Sequence, residues 1–268
     1  MKIGITGCAG RMGRALISEV TATTGAELAG GTESPGAPTL GRDLGELAGI
    51  GTLGLQASED ALAVFEASDV VIDFTRPEPT RRHAELAART GTALVIGTTG
   101  LAGEHEAAIR QAAEKSAIVQ APNMSVGVTL LRALTEQVAR ILDESYDIEI
   151  VEMHHRHKVD APSGTALALG RSAAAGRGVD LEAATVAGRF GETGPRRAGD
   201  IGFAVLRGGD VVGDHSVIFA ADGERIELSH KASSRRVFAR GAVRAALWAA
   251  AAGPGLYSME DVLGLGDR

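Results

Sequence analysis

The sequence predicts an α/β protein with a doubly wound parallel-sheet domain and an inserted α+β mixed-sheet domain. Three observations carry that expectation. Short apolar runs alternate with helical patterns through roughly the first 123 residues, the order of strand–helix–strand units joined by right-handed crossovers. Gly7, Gly10 and Gly13 stand between the first strand and the first helix, where a Rossmann-type domain carries its tight turn. After residue 123 the pattern changes to one long helix and then mainly strands.

Lys2 to Thr6 reads as the first strand, and Met12, Leu16 and Val20 recur behind it at helical spacing. Glu27 to Thr32 is the second strand and Asp69 to Thr75 (DVVIDFT) the third. Pro77 follows where a first helical turn accepts it, because that N–H has no intrahelical partner anyway. Ala93 to Gly97 and Ala117 to Ala121 are two more strands, separated by a helical stretch from Glu104 to Lys115. Leu130, Leu134 and Val138 mark the long helix, and Asp147 to Met153 a strand after it. Ile201 to Leu206, Val211 to Ala220 and Arg225 to Lys231 read as consecutive strands, with Gly208-Gly209 and Asp222-Gly223 as hairpin turns. Ile226, Leu228 and His230 alternate with Arg225, Glu227 and Ser229, as in a sheet with one face covered. From about Ser234 a helix returns, with Phe238, Ala242, Ala245 and Ala249 on one stripe.

Composition narrows the function. The chain has 268 residues, 44% hydrophobic and 23% charged, with only 3% aromatic and 36 glycines; this is an ordinary globular composition with an aliphatic core. A net charge of -7 argues against nucleic acid as a partner. No apolar run reaches the roughly 20 residues that span a bilayer. The single cysteine, Cys8, cannot pair internally, and no charged leader precedes the first strand. A cytoplasmic protein without membrane or nucleic-acid partners is expected.

The glycine spacing, GxxGxxG, lets backbone N–H groups approach a pyrophosphate at a helix N-terminus. Glu33 ends the second strand 20 residues after Gly13, placed for a carboxylate to accept from a ribose hydroxyl. Gly97-Thr98-Thr99-Gly100 and Ala121-Pro122-Asn123-Met124 follow two later strands, where open α/β sheets bind ligands; on the residues alone, plain strand-to-helix turns with Thr or Asn caps are the better explanation.

Between His154 and Lys158 fall three histidines, an arginine and a lysine. A metal site is one reading, but an extended chain points His154 and His155 to opposite sides, and Arg156 and Lys158 bring cations to the same place. A solvated basic loop is another. Against it, Asp160-Ala161-Pro162-Ser163-Gly164-Thr165 is a turn into a helix whose free N–H groups can hold a carboxylate. Cations beside such a helix start make a pocket for an anionic, dicarboxylate ligand, and histidine is the natural proton donor near neutral pH.

The glycine loop with Arg11 and Met12 (GxxGRMG), VIDFT, GTTG, APNMSVG, the histidine segment, GGDVVGDH and KASSRRVFARG together resemble the 4-hydroxy-tetrahydrodipicolinate reductase (dihydrodipicolinate reductase) family over nearly the whole chain. The resemblance implies an NAD(P)H-dependent reduction of (2S,4S)-4-hydroxy-2,3,4,5-tetrahydrodipicolinate to tetrahydrodipicolinate with loss of water, in diaminopimelate and lysine biosynthesis. It implies a dinucleotide-binding domain of residues 1–124 and 235–268, and a substrate-binding, oligomerisation domain of residues 125–234. Domain closure is expected, with hinges near residues 123–126 and 232–236. His154 is implied as proton donor and acceptor, and Lys158 as a proton donor or stabiliser of negative charge. His155, Gly164 and Thr165 are implied on the substrate carboxylates. Gly7, Cys8, Ala9, Gly10, Arg11, Met12, Glu33, Gly97, Thr98, Thr99, Ala121, Pro122, Asn123 and Met124 are implied on the cofactor, with no metal. A homotetramer built through the inserted sheet is implied as well. One departure bears on the cofactor: the residue after the acid is Ser34, where the family often has arginine for the 2′-phosphate of NADPH. Arg42 and Arg11 are the candidate substitutes, and NADH is expected to serve at least as well as NADPH. A semialdehyde dehydrogenase would need a catalytic cysteine at the domain junction, and Cys8 sits in the glycine loop instead. A NAD(H)-sensing regulator would need a DNA-binding module, and no segment remains to supply one.

Overall fold

The computed structural model describes residues 1–266, in which the chain builds two units: Met1–Val126 with the segment from Arg235 onward, and Gly127–Ser234. The first unit begins β1 (Lys2–Thr6), α1 (Arg11–Ala22), β2 (Glu27–Thr32), α2 (Leu44–Ala48), β3 (Ala57–Ser58) and α3 (Ala61–Glu66). It continues through β4 (Val70–Asp73), α4 (Pro77–Thr90), β5 (Ala93–Ile96), α5 (Glu104–Ala113) and β6 (Ala117–Gln120). Helix α6 (Val126–Ile141) leads into the second unit, formed by β7 (Asp147–His154), α7 (Gly164–Arg177), α8 (Leu181–Ala184), β8 (Thr185–Ala187), β9 (Ile201–Arg207), β10 (Gly213–Ala221) and β11 (Glu224–Ala232). The chain then returns through α9 (Arg236–Ala249), β12 (Gly255–Tyr257) and α10 (Met259–Leu263).

In the first unit seven parallel strands run in the order β12-β6-β5-β4-β1-β2-β3. Strand β1 lies between β2 and β4, so the chain winds outward in both directions from it. Ligands of open α/β sheets bind at such a reversal, beyond the strand C-termini. The loops after β1, β2 and β4 therefore meet there. Ile3, Ile5, Val70, Ile72, Leu94 and Ile96 are fully buried, as expected of parallel strands covered on both faces. The returning α9 packs a small-residue stripe, Ala239, Ala242, Ala245, Ala246 and Ala249, into this core. Its Gly241 is obligatory: a Cβ there would lie 1.6 Å from the Met124 carbonyl oxygen. The expected return of the last helix to the first unit is therefore seen.

The second unit has a mixed sheet in the order β11-β10-β7-β9-β8. Ile148, Ile150, Ile201, Phe203, Val217 and Phe219 fill one face, under Ala166, Leu169 and Ala173 of α7. The Asp222-Gly223 hairpin joins β10 and β11 as expected, with Gly223 at φ +86. The Gly208-Gly209 hairpin is corrected. Strand β7 sits between β9 and β10, parallel to the first and antiparallel to the second. The backbone after β9 bonds instead to the histidine segment: Gly208 N donates to His154 O (3.0 Å), Arg156 N to Gly209 O (3.3 Å) and His155 N to Val211 O (2.7 Å). That is why β10 starts at Gly213 rather than Val211. Helix α6 is present, but Leu130 and Leu134 are exposed (44% and 37%), and Leu131, Thr135 and Ala139 form its buried side. Among the described residues no helix is long and apolar enough to cross a membrane.

Candidate active site

The first unit supplies a cradle at the sheet reversal. Gly7 takes φ +65 and Gly10 N donates back to Gly7 O at 3.0 Å, which turns the chain from β1 into α1. Gly10 caps α1 without a side chain, so the first helical N–H groups face outward unsatisfied by a cap. A Cβ on Gly13 would sit 2.2 Å from Gly7 O and 2.6 Å from Cys8 Cα; helix and loop touch through bare backbone. Glu33 accepts from Ala9 N at 2.8 Å, tying the acid after β2 to the loop after β1. Gly7, Gly10, Glu33, Ser34, Thr75 and Arg76 help line a cavity of about 950 Å³. A dinucleotide fits this cradle on two counts: a side chain at Gly13 would close the turn, and a carboxylate stands at its edge. Burial, with the Glu33 charge adding to it, pushes the Cys8 thiol up to about 12, so Cys8 contributes packing and backbone, not a nucleophile.

The guanidiniums lining this cavity are Arg76, Arg82 and Arg89; neither Arg11 nor Arg42 lines it. Gly97–Thr99 and Ala121–Met124 follow β5 and β6 and lie outside its lining. A Cβ on Gly97 would meet the Phe74 ring at 2.3 Å. The Thr98 hydroxyl is used internally, accepting from Thr75 N at 3.0 Å and from Thr80 Oγ1 at 2.9 Å. Beneath them Asp73, fully buried, accepts from Thr75 N (2.8 Å) and Thr75 Oγ1 (2.6 Å) and meets His83 Nδ1 at 2.9 Å. Burial raises the Asp73 carboxyl, but His83 and the threonine hydroxyls outweigh it and hold it below the ordinary range. Sequence reading missed this group, although Asp73 stands inside a motif it noticed.

The second unit holds the histidine segment. Alternation along β7 turns Ile148, Ile150, Glu152 and His154 to the covered face. Glu152 is 1% exposed and takes four hydrogen bonds. His154 Nδ1 (2.6 Å) and Arg207 Nη1 (2.8 Å) reach its Oε2; Arg207 Nη2 (2.9 Å) and Ser163 N (3.0 Å) reach its Oε1. Burial pushes the Glu152 carboxyl up, but Arg207, His154 and the Ser163 amide prevail and keep it below the usual carboxylate range. Arg207 also donates to Asp160 O at 2.7 Å, and Lys158 Nζ grips both oxygens of Asp160, at 2.7 and 2.8 Å. Ser163 caps α7, accepting from Ala166 N at 3.1 Å, and its hydroxyl meets His215 Nε2 at 2.9 Å. The His215 ring stands edge-on to His154 with centroids 5.1 Å apart. Burial, with His154 adding to it, pushes His215 down to about 4. Gly164 opens α7 with no atom within 4 Å of where its Cβ would be, so space remains in front of the helix start.

His154, Lys158 and the Gly164–Thr165 helix start are thus tied into one network. Glu152, Ser163, Arg207 and His215 were not anticipated. Glu152 was readable, two residues before His154 on the same strand face. Arg207 and His215 arrive only through strand register, His154 opposite Arg207 and Glu152 opposite His215. Among the described residues, a donor cluster tight enough for a metal is the trio of exposed Glu78 and Glu104 with half-buried His105, outside the histidine segment.

Two family models match the chain: dihydrodipicolinate reductase, N-terminus, over residues 1–124, and dihydrodipicolinate reductase, C-terminus, over residues 127–263. The 4-hydroxy-tetrahydrodipicolinate reductase of Rhodopseudomonas palustris (strain BisB18) is 55% identical over 267 residues, covering 100% of this chain and 98% of that protein. That of Parvibaculum lavamentivorans is 57% identical over 266 residues, covering 99% and 98%. Among solved structures, dipicolinate-bound dihydrodipicolinate reductase from Paenisporosarcina sp. TG-14 superposes with a TM-score of 0.76 at 24% identity, covering 96% of this chain and 97% of that one. An amine dehydrogenase from Mycobacterium smegmatis reaches 0.62 at 14% identity, covering 100% and 97%. These last two likenesses speak to the fold.

Proposed function

This chain belongs to the dihydrodipicolinate reductase family, and from that membership we propose that it reduces (2S,4S)-4-hydroxy-2,3,4,5-tetrahydrodipicolinate to 2,3,4,5-tetrahydrodipicolinate with loss of water, as a cytoplasmic enzyme of diaminopimelate and lysine biosynthesis. The observation that carries the reading is the network in which His154, Lys158 and the start of α7 share the partners Glu152, Arg207 and Asp160. A reduced nicotinamide dinucleotide supplies the hydride when bound. The glycine loop, Glu33 and the segments Gly97–Thr99 and Ala121–Met124 hold it.

The protein's part is to bind a small diacid and manage one proton. Backbone N–H groups at Gly164 and Thr165, with the His155 ring, take the substrate carboxylates. The Lys158 ammonium stabilises negative charge as it develops on the ring, and His154 delivers the proton. NADH serves at least as well as NADPH, because Ser34 offers no charge to a 2′-phosphate beside Glu33. The second unit assembles the homotetramer through the face of its sheet away from α7, where Val151, Met153 and Ile218 are half-buried and Leu206 is 50% exposed; light scattering after size exclusion checks the mass.

The test is steady-state reduction of freshly generated substrate, followed by loss of reduced-cofactor absorbance. His154→Ala or Lys158→Ala is expected to lower kcat by about 10²–10⁴-fold, while NADH affinity by fluorescence titration stays nearly intact. Equal loss of NADH affinity overturns the assignment. A strong NADPH preference in kcat/KM overturns the cofactor reading.

A further inference from the structure

Glu152 carries a charge in a place where charge is costly. A buried ion pair is often no more stabilising than well-packed apolar residues of the same size, so stability alone does not account for it. Its bonding does. Each oxygen has two donors, and the four come from three parts of the second unit: His154 beside it on β7, Arg207 on β9, and the Ser163 amide at the start of α7. An ionised carboxylate only accepts. The His154 contact therefore requires the proton on Nδ1, and Nε2 is left as the atom that exchanges a proton. The space there is kept by a glycine: a Cβ on Gly213 would lie 3.0 Å from His154 Nε2.

We infer that Glu152 is the positioning residue of the site, fixing the His154 tautomer so that Nε2 faces the reaction and setting the start of α7 relative to that ring. The inference rests on the proposed role of His154 as proton donor and adds a residue to it. Arg207 is the counter-ion that keeps Glu152 charged, and through Asp160 O it anchors the turn that carries Lys158. The groups facing His154 are Glu152 from β7, Arg207 behind it on β9, and His215 from β10. Lys158 and Asp160 stand on the segment that follows. Of these, Glu152 touches the imidazole nitrogen directly, at 2.6 Å.

Two measurements test this. Nitrogen-15 NMR of the histidine-labelled wild-type protein, assigned by the signal lost in His154→Asn, is expected to show neutral His154 protonated at Nδ1; protonation at Nε2 overturns the inference without any variant of Glu152 having to fold. Kinetics of Glu152→Gln, which keeps shape and the acceptor for Ser163 N, should show kcat down about 100-fold. The Kd for pyridine-2,6-dicarboxylate and for NADH should each stay within about threefold of wild type. Glu152→Asp, which keeps the charge, is expected to recover most of the kcat that Glu152→Gln loses. Unchanged kcat in Glu152→Gln, or loss appearing only as weakened binding of both ligands, refutes it. Full activity in His154→Asn would instead sink the proposed role of His154, a result separable from the tautomer.

Discussion

Removing the Asp73 carboxylate tests how the cofactor cradle is supported. The group is fully buried at the end of β4 and accepts from Thr75 N, Thr75 Oγ1 and His83 Nδ1 at 2.8, 2.6 and 2.9 Å. Thr75 and His83 line the cavity, and Thr98 completes the cluster. Asp73→Ala takes the acceptor from the Thr75 hydroxyl and the His83 imidazole and leaves Thr75 N only Thr98 Oγ1, a loss of about 3–5 kcal/mol by analogy with breaking a buried pair. At about 2–4 °C per kcal/mol for a unit of this size, the Tm falls by roughly 10 °C. Asp73→Asn keeps the shape and two acceptor contacts but not the charge, and costs about 2 kcal/mol. The sign with pH follows from the depressed folded value. The contribution of the charge is present in full above the unfolded carboxylate value of about 4, and is lost as pH falls through the lower folded one. Calorimetric Tm of wild type and Asp73→Asn should therefore differ most near neutral pH, and the gap should narrow as pH falls from the unfolded value towards the lower folded one. A gap that stays constant through the acid range, or an unchanged Tm for Asp73→Ala, refutes the reasoning.

Two glycine substitutions separate packing from function. Gly13→Ala puts a Cβ 2.2 Å from Gly7 O and 2.6 Å from Cys8 Cα; because both are backbone, the loop has to open, and a cost of about 1–3 kcal/mol is expected. NADH affinity by fluorescence titration should fall at least about tenfold, since the proposed pyrophosphate contacts lie on the same loop. Gly164→Ala meets no atom within 4 Å, so the Tm should hold, while the KM for substrate rises about five- to tenfold as the new methyl group fills the space before α7. A Gly164→Ala enzyme with wild-type KM would show that the diacid lies elsewhere.

How much of this was legible follows from the range of each interaction. The parallel strands of the first unit are dense in Val and Ile with glycine turns, and local pattern is enough to see them. Strands β3, β8 and β12, of two or three residues each, are too short to show any period. The Gly208-Gly209 signal misled because a hairpin and a crossover look alike until it is known which strand lies between. The face of α6 misled for a related reason: Leu130 and Leu134 keep helical spacing, yet the neighbouring stripe of Leu131, Thr135 and Ala139 is the one that packs. At the site, the chemistry-bearing histidines announced themselves by clustering. Their partners Arg207 and His215 stand 55 and 52 residues from the groups they bind, Glu152 and Ser163, and no local pattern reaches that far.

The lysine of the histidine segment shows why a chain of net charge -7 still suits a diacid. Arg207 is neutralised by Glu152 and adds little net attraction for a ligand. Lys158 is gripped by both oxygens of Asp160, and Lys158 in turn keeps the Asp160 carboxyl below its ordinary range. An ammonium has three donors; two are used here, so one remains for a substrate acceptor without Asp160 having to let go. The pair is about half exposed on the Asp160 side, where Coulomb attraction is modest. Its value is directional: a flexible four-carbon stem is held in one place before the substrate arrives, so binding does not have to order it. Selectivity for a small diacid then depends on where the third N–H and the α7 N–H groups point, and both directions are set by the short turn from Lys158 to Ser163.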